Sequence, residues 1–236
     1  MKTFFFTIQS KGGAGKSMLT YLQALKHETN KQVFFVDLDN STRTSVRQLD
    51  FLKDKKRLAE VNLIDHIKRI EREKLFEIIE NLNLLPFSDF YLDFGAPESQ
   101  QLPILFSLDV TTEEFKAFEK GLDAKFVFNI VVAGGTSYLS CMEFTREVVS
   151  ALNGKFEIFL YINEFSFPDQ DELITEIELY AQSNVDFITG TKKFGKIAID
   201  RSSGRIILDH IKRGKSMSDF KGFGTKLVID RETAKV

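Results

Sequence analysis

Continuous apolar runs and amphipathic stretches alternate along the chain. Phe4-Phe5-Phe6-Thr7-Ile8 reads as a buried strand, Leu19 to Leu25 as the apolar face of a helix from Lys16 to about His27 that stops near Asn30, and Val33-Phe34-Phe35-Val36 as a second buried strand. Unbroken apolar strands suit a parallel sheet covered on both faces, and strand–helix–strand spacing of this kind makes a right-handed crossover. The alternation continues with strands at Asp89–Leu92, Phe126–Val132 and Phe156–Ile162, a helix ending near Leu152, a helix over Asp169–Gln182, and a last core strand at Val185–Thr189. From Leu52 to Asn83 the chain is charged, and Leu58, Val61, Ile64, Ile67, Ile70, Leu75 and Ile78 recur at three- or four-residue steps, which predicts one or two amphipathic helices. The expected fold is α/β: a doubly wound, mainly parallel sheet with helices on both faces, in one domain spanning residues 1–236.

Composition narrows this picture. At 236 residues with 43% apolar side chains the chain can fill a sizeable core. A net charge of −2 advertises neither nucleic acid nor membrane binding by the whole molecule, so either would need a local patch. A single cysteine, Cys141, excludes an internal disulfide and a cysteine-rich metal or iron–sulfur site within one chain, and His66 has no metal-binding companion nearby in the sequence. No apolar segment approaches membrane-spanning length, and a cytoplasmic protein is the expectation.

Chemistry enters at the junction of the first strand and helix, Lys11-Gly12-Gly13-Ala14-Gly15-Lys16-Ser17. From Ser10 to Ser17 the chain follows G-x-x-x-x-G-K-[ST], with Ser10 where the first glycine is expected. Gly12, Gly13 and Gly15 let backbone N–H groups turn inward around a phosphate, and the helix that follows points its unpaired N–H groups at the same place. Lys16 is placed for the β- and γ-phosphates and Ser17 for Mg²⁺, so the stretch reads as the phosphate loop of a nucleoside triphosphate site. Asp37-Leu38-Asp39-Asn40 ends the second strand on the edge where open parallel sheets bind ligands, with both carboxylates directed to the phosphates. Asp93, at the end of the third apolar strand, is the acidic residue that would hold Mg²⁺ through water, with Gly95 and Pro97 shaping a loop near the γ-phosphate. Asp93-Phe94-Gly95 matches the protein-kinase D-F-G triplet, but no H-R-D loop accompanies it.

With Lys11 five residues before Lys16, the pattern K-G-G-x-G-K-S resembles the deviant Walker A ATPases of the ParA/MinD family. The resemblance runs from Thr3 to about His210. It implies an ATP- and Mg²⁺-dependent homodimer with nucleotide sandwiched between subunits, in which Lys11 reaches the partner's phosphates. It also implies that Asp39 orients or activates the attacking water, that Asp37 supports the loop and metal shell, and that Asn163 reads the adenine edge. The implied nucleotide contacts are Lys11, Gly12, Gly13, Ala14, Gly15, Lys16, Ser17 and Met18, with Asp37 and Asn163; Lys11, Lys16 and Asp39 are the implied catalytic set, and Ser17 and Asp93 the metal set. The family's second switch reads D-x-P-P or D-x-P-x-G, so Phe94-Gly95-Ala96 is a departure. With Thr3 already beginning the first strand, the chain looks like the short form without an N-terminal DNA-reading module.

Family members use slow, partner-stimulated ATP hydrolysis to segregate plasmids or chromosomes or to position large cell structures, and that is the expected function. Two alternatives stand beside it: a conjugation or plasmid accessory regulator that binds nucleotide mainly to dock on a partner, and a metabolic P-loop ligase of the dethiobiotin synthetase kind. The segment at about 191–226 carries ten Lys and Arg against Asp200, Asp209 and Asp219, a local charge of +7. It is expected to form a basic face for non-specific DNA, through Lys212, Arg213 and Lys215. The final residues lack the long apolar face of a membrane anchor.

Overall fold

The structure, a computed structural model, describes residues 1–39, 47–65 and 69–236. Seven strands form one sheet: β1 (Lys2–Ile8), β2 (Val33–Leu38), β3 (Leu58–Glu60), β4 (Asp89–Phe94), β5 (Ala124–Val132), β6 (Glu157–Asn163) and β7 (Gly190–Phe194). Their spatial order is β3-β2-β4-β1-β5-β6-β7, and every pairing between neighbours is parallel. The helices are α1 (Lys16–Lys26), α2 (Arg72–Leu84), α3 (Ala96–Ile104), α4 (Thr112–Gly121), α5 (Tyr138–Leu152), α6 (Asp171–Ser183), α7 (Ser202–Lys212) and α8 (Phe223–Lys235).

Phenylalanine builds much of the core. Alternation along β1 sends Phe4, Phe6 and Ile8 to one face, where Phe4 stacks on Phe90 at 4.8 Å and Phe6 on Phe128 at 4.8 Å between ring centroids. Phe5 goes to the other face and stacks on Tyr91, which stacks in turn on Phe35. Offset rings in neighbouring parallel strands bury large apolar area with favourable edge and face contacts, and this locks the strand register. That register sets Asp37 and Thr7 on either side of Asp93 at the carboxyl edge of the sheet.

Two sequence expectations change. Leu58–Glu60, read as the start of an amphipathic helix, is instead an edge strand on β2, pairing Phe35 with Leu58 and Asp37 with Glu60. Only the end of the periodic stretch, Arg72–Leu84, is helical among the described residues, while His66, Ile67 and Lys68 lie outside them. The last strand is Gly190–Phe194, not Val185–Thr189, and Val185 is exposed. β7 is an edge strand whose Lys192 lies over the Phe159 and Tyr161 rings and whose Lys193 pairs with Glu178 at 2.7 Å, so lysine stems occupy positions where apolar side chains were sought.

Candidate functional site

The residues between β1 and α1 form the floor of a cavity of about 310 Å³. Its lining is Gly12 to Met18 from the phosphate loop, Asp39 from the end of β2, Ala96 from the start of α3, and Gln48. Gly13 and Gly15 take φ of +78° and +108°, a region that L side chains rarely enter. Gly15 also has no room for a Cβ, which would lie 2.4 Å from the Asn163 amide nitrogen. Around Gly12 and Gly13 there is open space, which leaves their backbone accessible to a ligand.

The loop is anchored from below by Gln9, which is fully buried. Its backbone N–H donates to Ser99 Oγ at 3.2 Å, its side-chain amide donates to the Val131 carbonyl at 2.7 Å, and its Oε1 accepts the Lys11 N–H at 3.3 Å. Lys16, itself 8% exposed, donates from Nζ to the Gln9 carbonyl at 2.8 Å. Burial pushes the Lys16 ammonium below its ordinary pKa, and Asp93 and then Asp39 work against that shift. A buried cation held by one neutral carbonyl and nearby carboxylates is arranged to receive a further anion.

Asp39 is the acidic residue that reaches the cavity wall, and its backbone N–H donates to Asp37 Oδ1 at 2.9 Å. Asp37 is buried and does not line the cavity, and it meets the lining through this hydrogen bond to the Asp39 backbone. Asp93 is 1% exposed at the end of β4. Asn163 closes β6 beside the loop: its Nδ2 donates to the Ala14 carbonyl at 2.9 Å, and its buried Oδ1 has no hydrogen-bond partner among the described residues. Lys11 is exposed at the loop's outer side and does not line the cavity. Asn40 lies outside the described residues.

Two residues at the site were missed in the sequence. Gln48 lines the cavity, and its buried Oε1 has no hydrogen-bond partner among the described residues. Glu98, on the first turn of α3, is fully buried and acts on Lys16 electrostatically. A Cβ on Gly95 would lie 2.0 Å from Glu98 Oε2 and 3.0 Å from Asp39 Oδ1, so glycine is what lets these two carboxylates approach the backbone between β4 and α3. Neither residue carries a local signal, since a glutamine and a glutamate in polar stretches read as surface.

The pieces fit a nucleotide with its metal. The glycine cradle is open, and among the described residues Lys16 is buried with no ion pair and Gln48 offers an acceptor without a hydrogen bond. Among the described residues no cluster of three or more His, Cys, Asp or Glu side chains could hold a metal alone, so a divalent ion would depend on phosphate oxygens and water besides Ser17 and Asp93.

The basic segment divides in two. Lys192, Lys193 and Lys196 lie at the β7 edge and its exit, with Lys196 3.9 Å from Glu164. Arg201, Arg205, Lys212 and Arg213 are exposed on and after α7, Arg213 pairing with Asp209 at 3.0 Å, while Lys215 is half-buried. No described helix is long and apolar enough to cross a membrane.

No family sequence model matches the chain, and no curated protein sequence does either. Solved structures do. A chain of the MinC:MinD cell division protein complex of Aquifex aeolicus superposes with a TM-score of 0.55 over 99% of this chain and 95% of its own, at 14% identity. The MinD cell division protein of the same organism gives 0.51 over the same shares at 15% identity. A putative plasmid partition protein of Borrelia burgdorferi bound to AMPPNP covers 98% of both chains at 17% identity with a TM-score of 0.49. The chain therefore shares the parallel α/β fold of these MinD structures over nearly its whole length.

Proposed function

We propose that the protein is an ATP-dependent dimerisation switch of ParA/MinD type that hydrolyses ATP to partition or position DNA or another large cargo. The observation that carries this reading is the cavity itself: glycine backbone, a buried Lys16 and the Asp39 carboxylate converge on one space at the carboxyl edge of a parallel sheet. The glycine loop and the α1 N-terminus would hold the phosphates, Lys16 would turn from the Gln9 carbonyl to the β- and γ-phosphates, and Ser17 with Asp93 would hold Mg²⁺, which would supply neutralisation of phosphate charge. Asp39 orients the attacking water, held by the Asp37–Asp39 backbone hydrogen bond. Lys11, exposed beside the cavity mouth, completes the site of a second subunit. The cell division and plasmid partition proteins that share the fold support the class of function, with a partner protein accelerating hydrolysis.

The test is nucleotide binding by calorimetry and assembly by light scattering. Lys16→Ala is expected to lose ATP binding. Asp39→Ala should bind ATP, hydrolyse it at least tenfold more slowly and accumulate as a dimer, since water orientation contributes roughly 10²–10⁴ in rate. Lys11→Ala should bind ATP and remain monomeric. Wild-type affinity in Lys16→Ala overturns the site, and ATP-dependent dimers of Lys11→Ala overturn the trans role.

A further inference from the structure

The C-terminal helix holds the loop beside Asn163 by a buried carboxylate. Glu232, on α8, is 3% exposed. Its Oε2 accepts the backbone N–H groups of Gly195 at 2.6 Å and Lys196 at 3.1 Å, and its Oε1 accepts Lys235 Nζ at 2.8 Å. Lys235 Nζ also donates to Glu164 Oε2 at 2.9 Å, which ties α8 to the turn that follows β6. Two backbone donors on one buried carboxylate oxygen are charge-assisted hydrogen bonds in a low-dielectric setting, stronger than neutral ones and costly to leave unmade.

The loop held in this way does not line the cavity itself but packs against Asn163 and the cavity residue Met18. Gly195 has φ of +80°, and a Cβ there would lie 2.7 Å from Asn163 Oδ1, 3.3 Å from Met18 Cε and 3.5 Å from Phe165 Cβ. Asn163 in turn donates to the Ala14 carbonyl of the phosphate loop, while its Oδ1 faces Gly195 with no hydrogen-bond partner among the described residues. A continuous path thus runs from α8 through Gly195 and Asn163 to the phosphate loop. Next to it stand Met18, half-buried on α1, and Phe165, 40% exposed, two side chains suited to the flat face of a base.

We propose that Glu232 is a positioning residue for the base of the bound nucleotide. It holds the Gly195–Lys196 backbone against Asn163 and the cavity residue Met18, beside which the purine lies. This rests on the nucleotide-site reading above and adds to it that α8, distant in sequence, is part of base recognition. The polyphosphate end is held by Gly12 to Ser17 and does not depend on Glu232.

That separation provides the test. ATP, ADP and inorganic tripolyphosphate, which has no base, are titrated against wild type, Glu232→Ala, Glu232→Gln and Lys16→Ala by calorimetry, with thermal melts checking folding. Glu232→Ala is expected to bind ATP and ADP at least tenfold more weakly and tripolyphosphate within twofold of wild type. Glu232→Gln, whose carbonyl can still accept from Gly195 and Lys196, should recover most of the nucleotide affinity. Lys16→Ala should lose all three. A folded Glu232→Ala that binds ATP like wild type, or that loses tripolyphosphate equally, overturns the proposal; a wild type that binds none of the three overturns the nucleotide site instead. Hydrogen exchange on the wild type is a second measurement that needs no variant. ADP should slow exchange in peptides covering both Gly195–Lys196 and α8, tripolyphosphate should not, and an α8 indifferent to ADP also overturns it.

Discussion

Gly95 shows how one missing methyl group shapes the turn between β4 and α3. Its φ is ordinary, so the requirement for glycine is one of space: the Glu98 carboxylate folds back to where a Cβ would be, with Asp39 on the other side. Gly95→Ala must displace Glu98, and overpacking of a closed site costs about 1–3 kcal/mol. The cost should vanish largely when Glu98→Ala is made with it, so a double-mutant cycle of urea unfolding is expected to show coupling of at least about 1 kcal/mol. Additive effects would mean that the two residues do not meet. The same residue explains what the sequence could and could not disclose. Lys11 to Ser17 is legible because its chemistry is local: glycines that free the backbone, then a cation and a hydroxyl at a helix start. Glu98, Gln48 and Glu232 are not legible, because each reaches its surroundings only through a tertiary approach that no spacing records.

At the level of elements, α1 joins the two ends of the sheet. Its N-terminus faces the phosphate loop, and its C-terminus is capped by Arg57, which is 4% exposed and reaches back from just before β3. The guanidinium donates to the carbonyls of His27 at 3.0 Å and Glu28 at 2.6 Å, and also to that of Asn30. A buried cation on the carbonyls of the C-cap residue and of the turn after it satisfies them and complements the macrodipole of α1. Arg57→Ala is therefore expected to cost about 3 kcal/mol, read as a lower urea midpoint at unchanged slope. Next to it, burial and then Lys26 hold the His27 imidazole below its ordinary pKa of 6.5, while its Nε2 meets the Tyr91 hydroxyl at 3.3 Å. The unfolded chain takes this proton first as pH falls. The stability that neutral His27 contributes is thus present above about pH 6.5 and declines below it, and His27→Gln should flatten the fall in melting temperature between pH 7 and 5. Elements with unbroken apolar runs, β1, β2, β4, β5 and β6, could be read directly. The edge strands could not: β3 has three residues, and β7 presents lysine stems to its surroundings, which apolar patterning does not detect.

For the whole molecule, a net charge of −2 conceals an uneven distribution, and the fold decides which cations can act together. Lys192 and Lys193 are held against rings and Glu178 at the sheet edge, while Arg201, Arg205, Lys212 and Arg213 at α7 are exposed, as are Lys196, Lys221 and Lys226. The Lys215 carbonyl accepts the Tyr21 hydroxyl of α1 at 2.5 Å, and a Cβ on Gly214 would lie 2.4 Å from the Arg47 carbonyl, next to the cavity residue Gln48. The exit of α7 is thus packed against α1 and against the residues beside the cavity. If ATP pairs two subunits, it also pairs two sets of these exposed cations, and binding of duplex DNA becomes bivalent with a large gain in avidity. The expected result is binding of unrelated duplexes with equal affinity, strong with ATP and weak with ADP or no nucleotide. Each phosphate contact contributes about 0.9 to the slope of log affinity against log salt, so replacing Lys212, Arg213 and Lys215 with alanine should weaken all duplexes alike and lower the slope by up to about 2.7 per subunit. Fluorescence titrations at several salt concentrations measure this directly. Wild-type binding by the triple variant, or no binding with ATP at low salt, would remove DNA as the partner of these cations, while dimerisation measured in the same samples would show whether the nucleotide switch still operates.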